Sequence, residues 1–205
     1  MLDLLFADPL SFIIYLVSIV IAITIHEFSH AWVADKLGDP TPRLAGRLTL
    51  NPLAHLDPIG TLALLIARFG WGKPVPIDPY NLASPKKDEA LISLAGPASN
   101  LILAVILSLI LRFSPIPLPV YLFFIIIVLN ISLALFNLLP IPPLDGSKIL
   151  TGILPKDLAW QFEENLSRYS TILLIFIVFP LFGQRSIAAI IILPIIEIML
   201  KILIP

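Results

Sequence analysis

Residues 10–36 read LSFIIYLVSIVIAITIHEFSHAWVADK, which is the first long apolar run of the chain. A helix needs about 20 predominantly apolar residues to cross the hydrocarbon core of a bilayer, and this run supplies them. The run ends at Lys36, and a cation is favourable at the carboxyl end of a helix. Gly38 and Pro40 then interrupt the helical pattern. The sequence therefore predicts a membrane-spanning helix over residues 10–36.

The composition of the whole chain points to the same solvent. Hydrophobic residues make up 58% of the 205 residues and charged residues 13%, whereas soluble domains carry about 25% charged residues. A soluble fold of this size could not bury so much leucine, isoleucine and valine, so the chain must lie largely in lipid. The net charge of −1 gives no field that would attract nucleic acid, and the absence of cysteine excludes disulfides and thiolate metal ligands.

Two more apolar runs are long enough to span a bilayer, and they predict a second helix over about 88–112 and a third over about 118–138. Prolines directly after the third run prevent the helix from continuing. Apolar runs near 169–183 and 186–204 predict about two further C-terminal membrane helices. The predicted fold class is an α-helical polytopic membrane protein.

The segment between the first two predicted helices has a mixed character. In residues 43–50, Arg and Thr alternate with Leu, and this period of two predicts a strand. An exposed edge of such a strand could pair with an extended substrate. Residues 59–70 are apolar but too few to span comfortably, so they are predicted to form a re-entrant or interfacial segment.

The distribution of basic residues predicts the orientation of the chain. Residues 36–87 contain seven lysines and arginines, whereas the loop after the second predicted helix contains only Arg112. The positive-inside rule therefore places 36–87 in the cytoplasm and the N-terminus outside. If 59–70 does not cross the membrane, the third helix ends on the same side as the first.

The pattern His-Glu-x-x-His occurs near the end of the first predicted helix, as His26, Glu27 and His30. A spacing of four residues places both imidazoles on one helical face, about 5–6 Å apart at Cβ, which suits two ligands of one zinc ion. Glu27 lies beside them, where a carboxylate can take a proton from metal-bound water. Ionisable groups at membrane depth are costly and usually functional, and the alternative is a polar cluster that joins helices.

A catalytic zinc site needs a third protein ligand, and the predicted topology points to Asp145. It follows the third helix in the segment NLLPIPPLDG, residues 137–146. The prolines hold the backbone off the helix and Gly146 permits an unusual dihedral, so the carboxylate can be aimed. The alternative is that Asp145 caps a helix that begins near Ser147, a role that Asn would fill nearly as well.

These motifs together resemble the site-2 protease family, the intramembrane metalloproteases of family M50. The resemblance covers roughly residues 10–150, and part of it is similar to the compact prokaryotic branch of the family. The matching segments are HEFSH (26–30), GRLTLNPLAHLDPIG (46–60), WGKPVPIDPYNL (71–82), AGPASN (95–100) and NLLPIPPLDG (137–146).

The resemblance implies that His26, His30 and Asp145 bind one zinc ion per chain and that Glu27 is the catalytic base. It also implies a three-helix catalytic core with a small membrane-associated β-sheet between the first two helices. Many relatives carry a PDZ domain in a loop, but no segment here is long enough to hold one, so selection of substrates by a PDZ domain is unsupported.

The expected protein is a single membrane-embedded metalloprotease domain over residues 1–205, with the catalytic core at about 10–150 and C-terminal helices at about 157–205. It would hydrolyse peptide bonds of transmembrane protein substrates, within or near their spanning segments, in the cell membrane with the active site near the cytoplasmic face. The bilayer is the other expected partner, nucleic acid is not expected, and the sequence leaves the oligomeric state open.

Other functions remain open at this stage. A non-proteolytic zinc-binding membrane protein or a metal transporter is the main alternative. A transporter would need polar residues along several spans, whereas here they cluster at one level. A second class of membrane metalloprotease, the CAAX type, would take its third ligand from a helical glutamate, for which Glu163 and Glu164 are the candidates.

Three further residues are candidates for contact with the substrate or a developing oxyanion. Asn137 ends the third predicted helix, and its alternative role is hydrogen bonding at that helix end. Asn100 is the polar member of AGPASN, and its alternative role is packing. His55 precedes Asp57 and Pro58, and its alternative is a surface turn. Asn130 is expected to form a bond between helices.

Overall fold

The computed structural model of this chain describes residues 2–67, 69–180 and 185–204, and helices dominate these ranges. Single 3-10 turns at Pro52–Ala54 and Pro79–Asn81 interrupt the loops. The α-helices in chain order are α1 (Leu2–Ala7), α2 (Pro9–Lys36), α3 (Thr41–Leu44), α4 (Pro58–Ala67), α5 (Pro85–Phe113), α6 (Val120–Asn137), α7 (Asp145–Ile153), α8 (Lys156–Ser167), α9 (Ser170–Val178) and α10 (Ile187–Leu203).

Three of these helices, α2, α5 and α6, are long and apolar enough to cross a membrane. They confirm the three spanning helices predicted from the sequence. In the most apolar 18-residue window of each helix, only 28–33% of the residues are buried inside the protein. The remaining apolar side chains of these windows are partly or fully exposed, and an apolar surface of this extent needs lipid. The chain is therefore a membrane protein.

The three long helices pack against one another, and α10 joins them against α5 and α6. Two hydrophobic clusters hold this arrangement together. The larger cluster is formed by Ala104 of α5, Ile127 and Ile131 of α6, and Ala188, Ile192 and Ile196 of α10. The smaller cluster joins Ala34 of α2 to Leu82 and Ile92. This second cluster brings the carboxyl half of α2 against the beginning of α5.

The prediction of about two further C-terminal membrane helices is unconfirmed. α9 has 9 residues and α10 has 17, and neither reaches the length of the three spanning helices. α9 ends because Phe179 is extended, as expected for a residue that precedes a proline. Part of the predicted run 169–183 lies outside the described residues. α10 packs on α5 and α6 through Ala188, Ile192 and Ile196, and the isoleucines of its other face are exposed.

The predicted strand over residues 43–50 is wrong. Residues Thr41–Leu44 form one turn of helix, and Gly46 follows with a φ of +69°. The amides of Gly46 and Arg47 donate back to the carbonyls of Arg43 and Pro42, which is the hydrogen-bond pattern of a Schellman helix end. Pro42 inside the turn and a glycine after it thus override the alternation of Arg and Leu.

No β-sheet is present in residues 2–67, 69–180 and 185–204, where the only trace of sheet pairing around this loop is one antiparallel bridge between Leu56 and Gly72. The small membrane-associated sheet implied by the resemblance is therefore unconfirmed. The idea that a substrate pairs with the edge of residues 43–50 loses its basis, because those residues turn instead of extending. The predicted segment 59–70 contains the short apolar helix α4, of 10 residues.

The loop between α2 and α5 is attached to the end of α2 by a single buried carboxylate. Asp39 accepts hydrogen bonds from the amides of Thr41 at 3.0 Å and Asp78 at 2.8 Å, and from the side-chain amide of Asn81 at 2.9 Å. A buried carboxylate is stable when donors surround it in this way. These bonds hold residues 78–81 beside the helix that carries His26 and His30.

Candidate metal and catalytic site

Two histidines and one aspartate converge at the carboxyl half of α2. The Nε2 atoms of His26 and His30 lie 3.0 Å and 3.4 Å from Oδ2 of Asp145, the first residue of α7. One potential ligand atom from each residue lies within 4.8 Å of the other two. Both imidazoles are buried, and the Asp145 side chain is 17% exposed. The segment after α6 therefore lies on the same side of the membrane as the carboxyl end of α2, as the sequence predicts.

The side chain of Asp145 does not cap a helix, which was the alternative role considered for it. α7 begins at Asp145 itself, and the helix start has no side-chain capping bond. Burial alone raises the pKa of the Asp145 carboxyl, but when a proton is on Nε2 of the two rings, the hydrogen bonds and charge of His26 and His30 outweigh burial and hold the pKa well below its ordinary value. The carboxylate that faces the two imidazoles is therefore ionised.

Hydrogen bonds on the far side of each ring determine which nitrogen faces Asp145 with a lone pair. Nδ1 of His30 lies 2.6 Å from the carbonyl oxygen of Ile92, which can only accept. Nδ1 of His26 lies 2.7 Å from Oδ1 of Asn100. The amide nitrogen of Asn100 donates to Ala22 O and to Oδ1 of Asn130, so its Oδ1 must accept. Each Nδ1 therefore carries a proton, so the neutral form of each ring has its lone pair at Nε2, on the side of Asp145.

When both rings are neutral, three acceptors face one another: two imidazole nitrogens and one carboxylate oxygen. This arrangement is stable only if protons on both rings or a shared cation lie between them. Tetrahedral zinc with ligands at about 2.0–2.1 Å separates those ligands by about 3.4 Å. The distances of 3.0 Å and 3.4 Å from Asp145 to the two rings fit that separation. The donor set of two imidazoles and one carboxylate also fits a catalytic zinc site with an open fourth position.

A glycine lets α5 approach the two rings this closely. A Cβ added at Gly96 would lie 2.5 Å from Nε2 of His30 and 2.7 Å from Cε1 of His26. Any side chain at this position would occupy the space between the backbone of α5 and the imidazoles. The AGPASN segment therefore contributes a small residue that faces the rings and, one turn later, the amide that orients His26.

Glu27 lies beside the two rings but faces a different part of the structure. Its side chain is 15% exposed, and its Oε2 is 4.0 Å from a guanidinium nitrogen of Arg47. On the other side, Gly72 lies so close that a Cβ added there would be 3.4 Å from Oε1. Glu27 is thus adjacent to His26 in the sequence, whereas in space its carboxylate lies against the loop that follows α3.

Comparison with known proteins shows the family to which the chain belongs. Residues 118–178 match the profile of peptidase family M50. The candidate zinc metalloprotease YwhC of Bacillus subtilis is 42% identical over 184 residues, which cover 84% of this chain and 84% of YwhC. This chain belongs to peptidase family M50.

Further relatives are more distant members of the same group. Rip2 of Mycolicibacterium smegmatis, also named as a candidate zinc metalloprotease, is 36% identical over 144 residues, which cover 66% of this chain and 55% of Rip2. Stage IV sporulation protein FB of Bacillus subtilis is 27% identical over 159 residues, 73% of this chain and 53% of that protein. No solved structure matches the chain significantly. The M50 profile covers the NLLPIPPLDG segment with Asp145, whereas HEFSH lies outside the matched range.

The secondary site candidates of this M50 protein occupy three different places. Asn100 is fully buried behind His26, where it orients the ring and cannot reach a substrate. The bond predicted for Asn130 is confirmed, because it accepts from Asn100 of another helix. The side-chain amide of Asn137 donates to the carbonyl of Leu133 within α6, so its hydrogen bonding is that of a helix end.

His55 is not a surface turn residue. Its side chain is fully buried, with Nε2 2.7 Å from the carbonyl oxygen of Thr49. Since a carbonyl only accepts, Nε2 carries the proton and Nδ1 can accept from Arg47, whose guanidinium nitrogen is 3.5 Å away. His55 therefore supports Arg47 and does not face the metal-binding side chains.

Arg47 is the residue near the site that sequence reasoning missed. By sequence, Arg47 is one of the basic residues of a predicted cytoplasmic loop. In the structure Arg47 is 3% exposed and lies beside Glu27. A single arginine in a loop gives no local signal of burial. The acceptors of its hydrogen bonds belong to residues 55, 73 and 74, which are not adjacent to it in the sequence. Its position depends on how the loop folds back over α2.

Proposed function

We propose that this M50 protein is a zinc metalloendopeptidase that hydrolyses peptide bonds of membrane-protein substrates, within or near their transmembrane segments. The observation that carries the proposal is the convergence of the His26, His30 and Asp145 side chains, with Nε2 of both rings facing the carboxylate and Nδ1 of both rings engaged elsewhere. The names of YwhC and Rip2, which describe them as zinc metalloproteases, support zinc as the cofactor. Membership of a peptidase family supports hydrolysis as the reaction.

The residues of the site have separate roles in this proposal. His26, His30 and Asp145 hold one zinc ion, which when bound supplies a Lewis acid that acidifies water and polarises a carbonyl group. Glu27 accepts a proton from the attacking water and returns it to the departing amine. Asn100 and the carbonyl of Ile92 keep both imidazoles in the tautomer that presents Nε2.

The position of the site in the membrane limits which substrates it can cut. His26 and His30 lie in the carboxyl half of α2, and the loop region 38–84, which carries many polar residues, follows. Water can therefore approach from one face, which the excess of lysine and arginine in 36–87 assigns to the cytoplasmic side of the cell membrane. The scissile bond must be outside regular helix, because a helix engages its carbonyl groups in its own hydrogen bonds.

The two alternatives are less well supported by the placement of polar groups. The CAAX-type alternative needs Glu163 or Glu164 near the histidines, but the carboxylate that joins His26 and His30 is Asp145. Glu163 instead lies 3.5 Å from the amino group of Lys86. A transporter needs polar groups along a path, whereas His26, Asn100 and Asn130 form a cluster at one level of the bundle.

The test is metal removal followed by a cleavage assay with the full chain in detergent. We expect about one zinc per chain, loss of cleavage of a single-span model substrate after chelation, and recovery when zinc is added. Zinc binding without cleavage of any single-span substrate, together with zinc uptake into proteoliposomes, would support the transporter instead. A magnesium addition controls for a non-specific divalent effect.

Replacing Asn100 with Ala should weaken zinc binding without removing a ligand. The His26 ring would lose the acceptor at its Nδ1 and could rotate or change tautomer. Loss of such an outer contact typically costs about 10–100-fold in metal affinity or activity. Competition with a fluorescent chelator measures the affinity, and Asn165→Ala on the exposed face of α8 is the matched control. Unchanged affinity in Asn100→Ala would remove Asn100 from this role.

A further inference from the structure

Arg47 brings a buried positive charge to the candidate base. The residue is 3% exposed, and one guanidinium nitrogen lies 4.0 Å from Oε2 of Glu27. Burying a guanidinium is costly unless acceptors surround it. Three acceptors other than Glu27 lie against its two terminal nitrogens, and they identify what else Arg47 holds.

Two of these acceptors are backbone carbonyls of one extended segment. The guanidinium donates to the carbonyl of Pro74 at 2.9 Å and to that of Lys73. The same segment is held a second time, because the amide of Lys73 donates to the carbonyl of His55 at 2.8 Å. The third acceptor is Nδ1 of His55, at 3.5 Å. Arg47 and His55 together hold the backbone of residues 73–74.

The segment held by Arg47 lies directly against Glu27. A Cβ added at Gly72 would be tightly placed, 3.0 Å from Cγ2 of Ile23 and 3.2 Å from the carbonyl oxygen of His55, and it would be 3.4 Å from Oε1 of Glu27. Oε1 of Glu27 therefore lies beside the backbone of the held segment, and Oε2 lies 4.0 Å from the guanidinium. The loop thus lies next to both oxygens of the carboxylate.

We infer that Arg47 is a positioning residue for Glu27. It holds the carboxylate by charge and holds the backbone of residues 72–74 against it, so that one side chain sets both the direction of the base and the wall beside it. The inference rests on the proposed function, because it takes Glu27 as the proton acceptor. Arg47 acts through Glu27 and does not itself contact the reacting atoms.

Arginine suits this task better than lysine. Its planar guanidinium offers five donors in a fixed fork, so it can bind the two carbonyls of 73 and 74 and still present charge to Glu27. Lysine would keep the charge but could not satisfy both carbonyls with the same geometry. A displacement of a catalytic group by about 1 Å can cost about 100-fold in rate. Both Arg47→Met and Arg47→Lys should therefore reduce the rate of cleavage, and the reduction should be smaller in Arg47→Lys.

The first test reads the Glu27 carboxylate directly and needs no activity. The infrared spectrum of the zinc-free native chain minus that of Glu27→Gln isolates the carboxylate stretching bands of Glu27. The spectrum of Arg47→Met minus that of the double variant with Arg47→Met and Glu27→Gln isolates the same bands in the absence of Arg47. We expect the bands to shift between the two difference spectra. Arg43→Met is the matched control, because Arg43 is exposed and pairs with Asp35; it should leave the bands unchanged.

The second test separates positioning from a merely structural role. In Arg47→Lys and Arg47→Met we expect kcat to fall by about 10–100-fold while KM and zinc content stay within about twofold of the native values. Unshifted carboxylate bands in both variants would overturn the inference even if activity fell, because Arg47 would then act only on the loop. If the native chain cleaves no substrate, the proposed function fails, and the infrared result still decides whether Arg47 holds Glu27.

Discussion

Glu27→Gln will abolish cleavage of a single-span substrate and leave the zinc in place. The glutamine side chain has the same size, but it cannot accept a proton from water, and removal of a general base typically costs about 100- to 10,000-fold in rate. The three proposed ligands His26, His30 and Asp145 are untouched, so the metal content should equal that of the native chain. Cleavage of a labelled model substrate in detergent and elemental analysis of the same preparation measure both quantities.

The matched control for this prediction is Glu164→Gln. Glu164 is exposed on α8, and the same chemical change there should alter neither cleavage nor zinc content. The control also tests the CAAX-type alternative, in which a glutamate of α8 would be a ligand. Cleavage that survives in Glu27→Gln would remove Glu27 from its role, and loss of zinc in that variant would show that Glu27 is needed to bind the metal.

Asp145→Asn will lose the zinc, which separates a metal ligand from a helix cap. Asparagine caps helices as well as aspartate does, so a capping residue would tolerate the change. A neutral amide oxygen facing two Nε2 atoms at 3.0 Å and 3.4 Å no longer supplies the negative charge that favours a divalent cation. Because loss of an outer contact already costs about 10–100-fold in metal affinity, we expect a loss greater than about 100-fold here.

Zinc affinity by chelator competition measures this effect, and Asp145→Ala should behave in the same way as Asp145→Asn. Asp157→Asn, in the first turn of α8 and exposed, is the matched control. Both Asp145 variants should remain folded, since the Asp145 side chain makes no capping bond to α7. Native zinc affinity in Asp145→Asn would contradict the proposed ligand set and with it the proposed enzyme.

Local order along the chain was enough to predict the spanning helices and the pair of histidines that we propose as ligands. The length and apolar content of residues 10–36 determine that they cross the bilayer as a helix, whatever they pack against. The spacing of four between His26 and His30 brings the rings together because it is a property of any α-helix. Asp145 could be added by topology, since two further spans return the chain to the same side of the membrane.

Local patterns failed where two of them competed within a few residues. Residues 43–50 alternate as a strand does, but Pro42 and Gly46 carry the signals of a helix start and a helix end, and the backbone follows those signals. The same turn sends Arg47 inward. A loop arginine read as one of seven cytoplasmic charges is therefore a buried neighbour of Glu27.

The sequence by itself determined that this is a helical membrane protein with a His-Glu-x-x-His pair and a distant aspartate. Tertiary structure alone decided which groups orient those side chains: Asn100 on His26, the Ile92 carbonyl on His30, and Arg47 on Glu27. The physical reason is the range of the interactions. Hydrophobic length and helical spacing act between near neighbours in the chain, whereas a buried hydrogen bond needs a partner that packing brings from another helix, 74 residues away for His26 and Asn100.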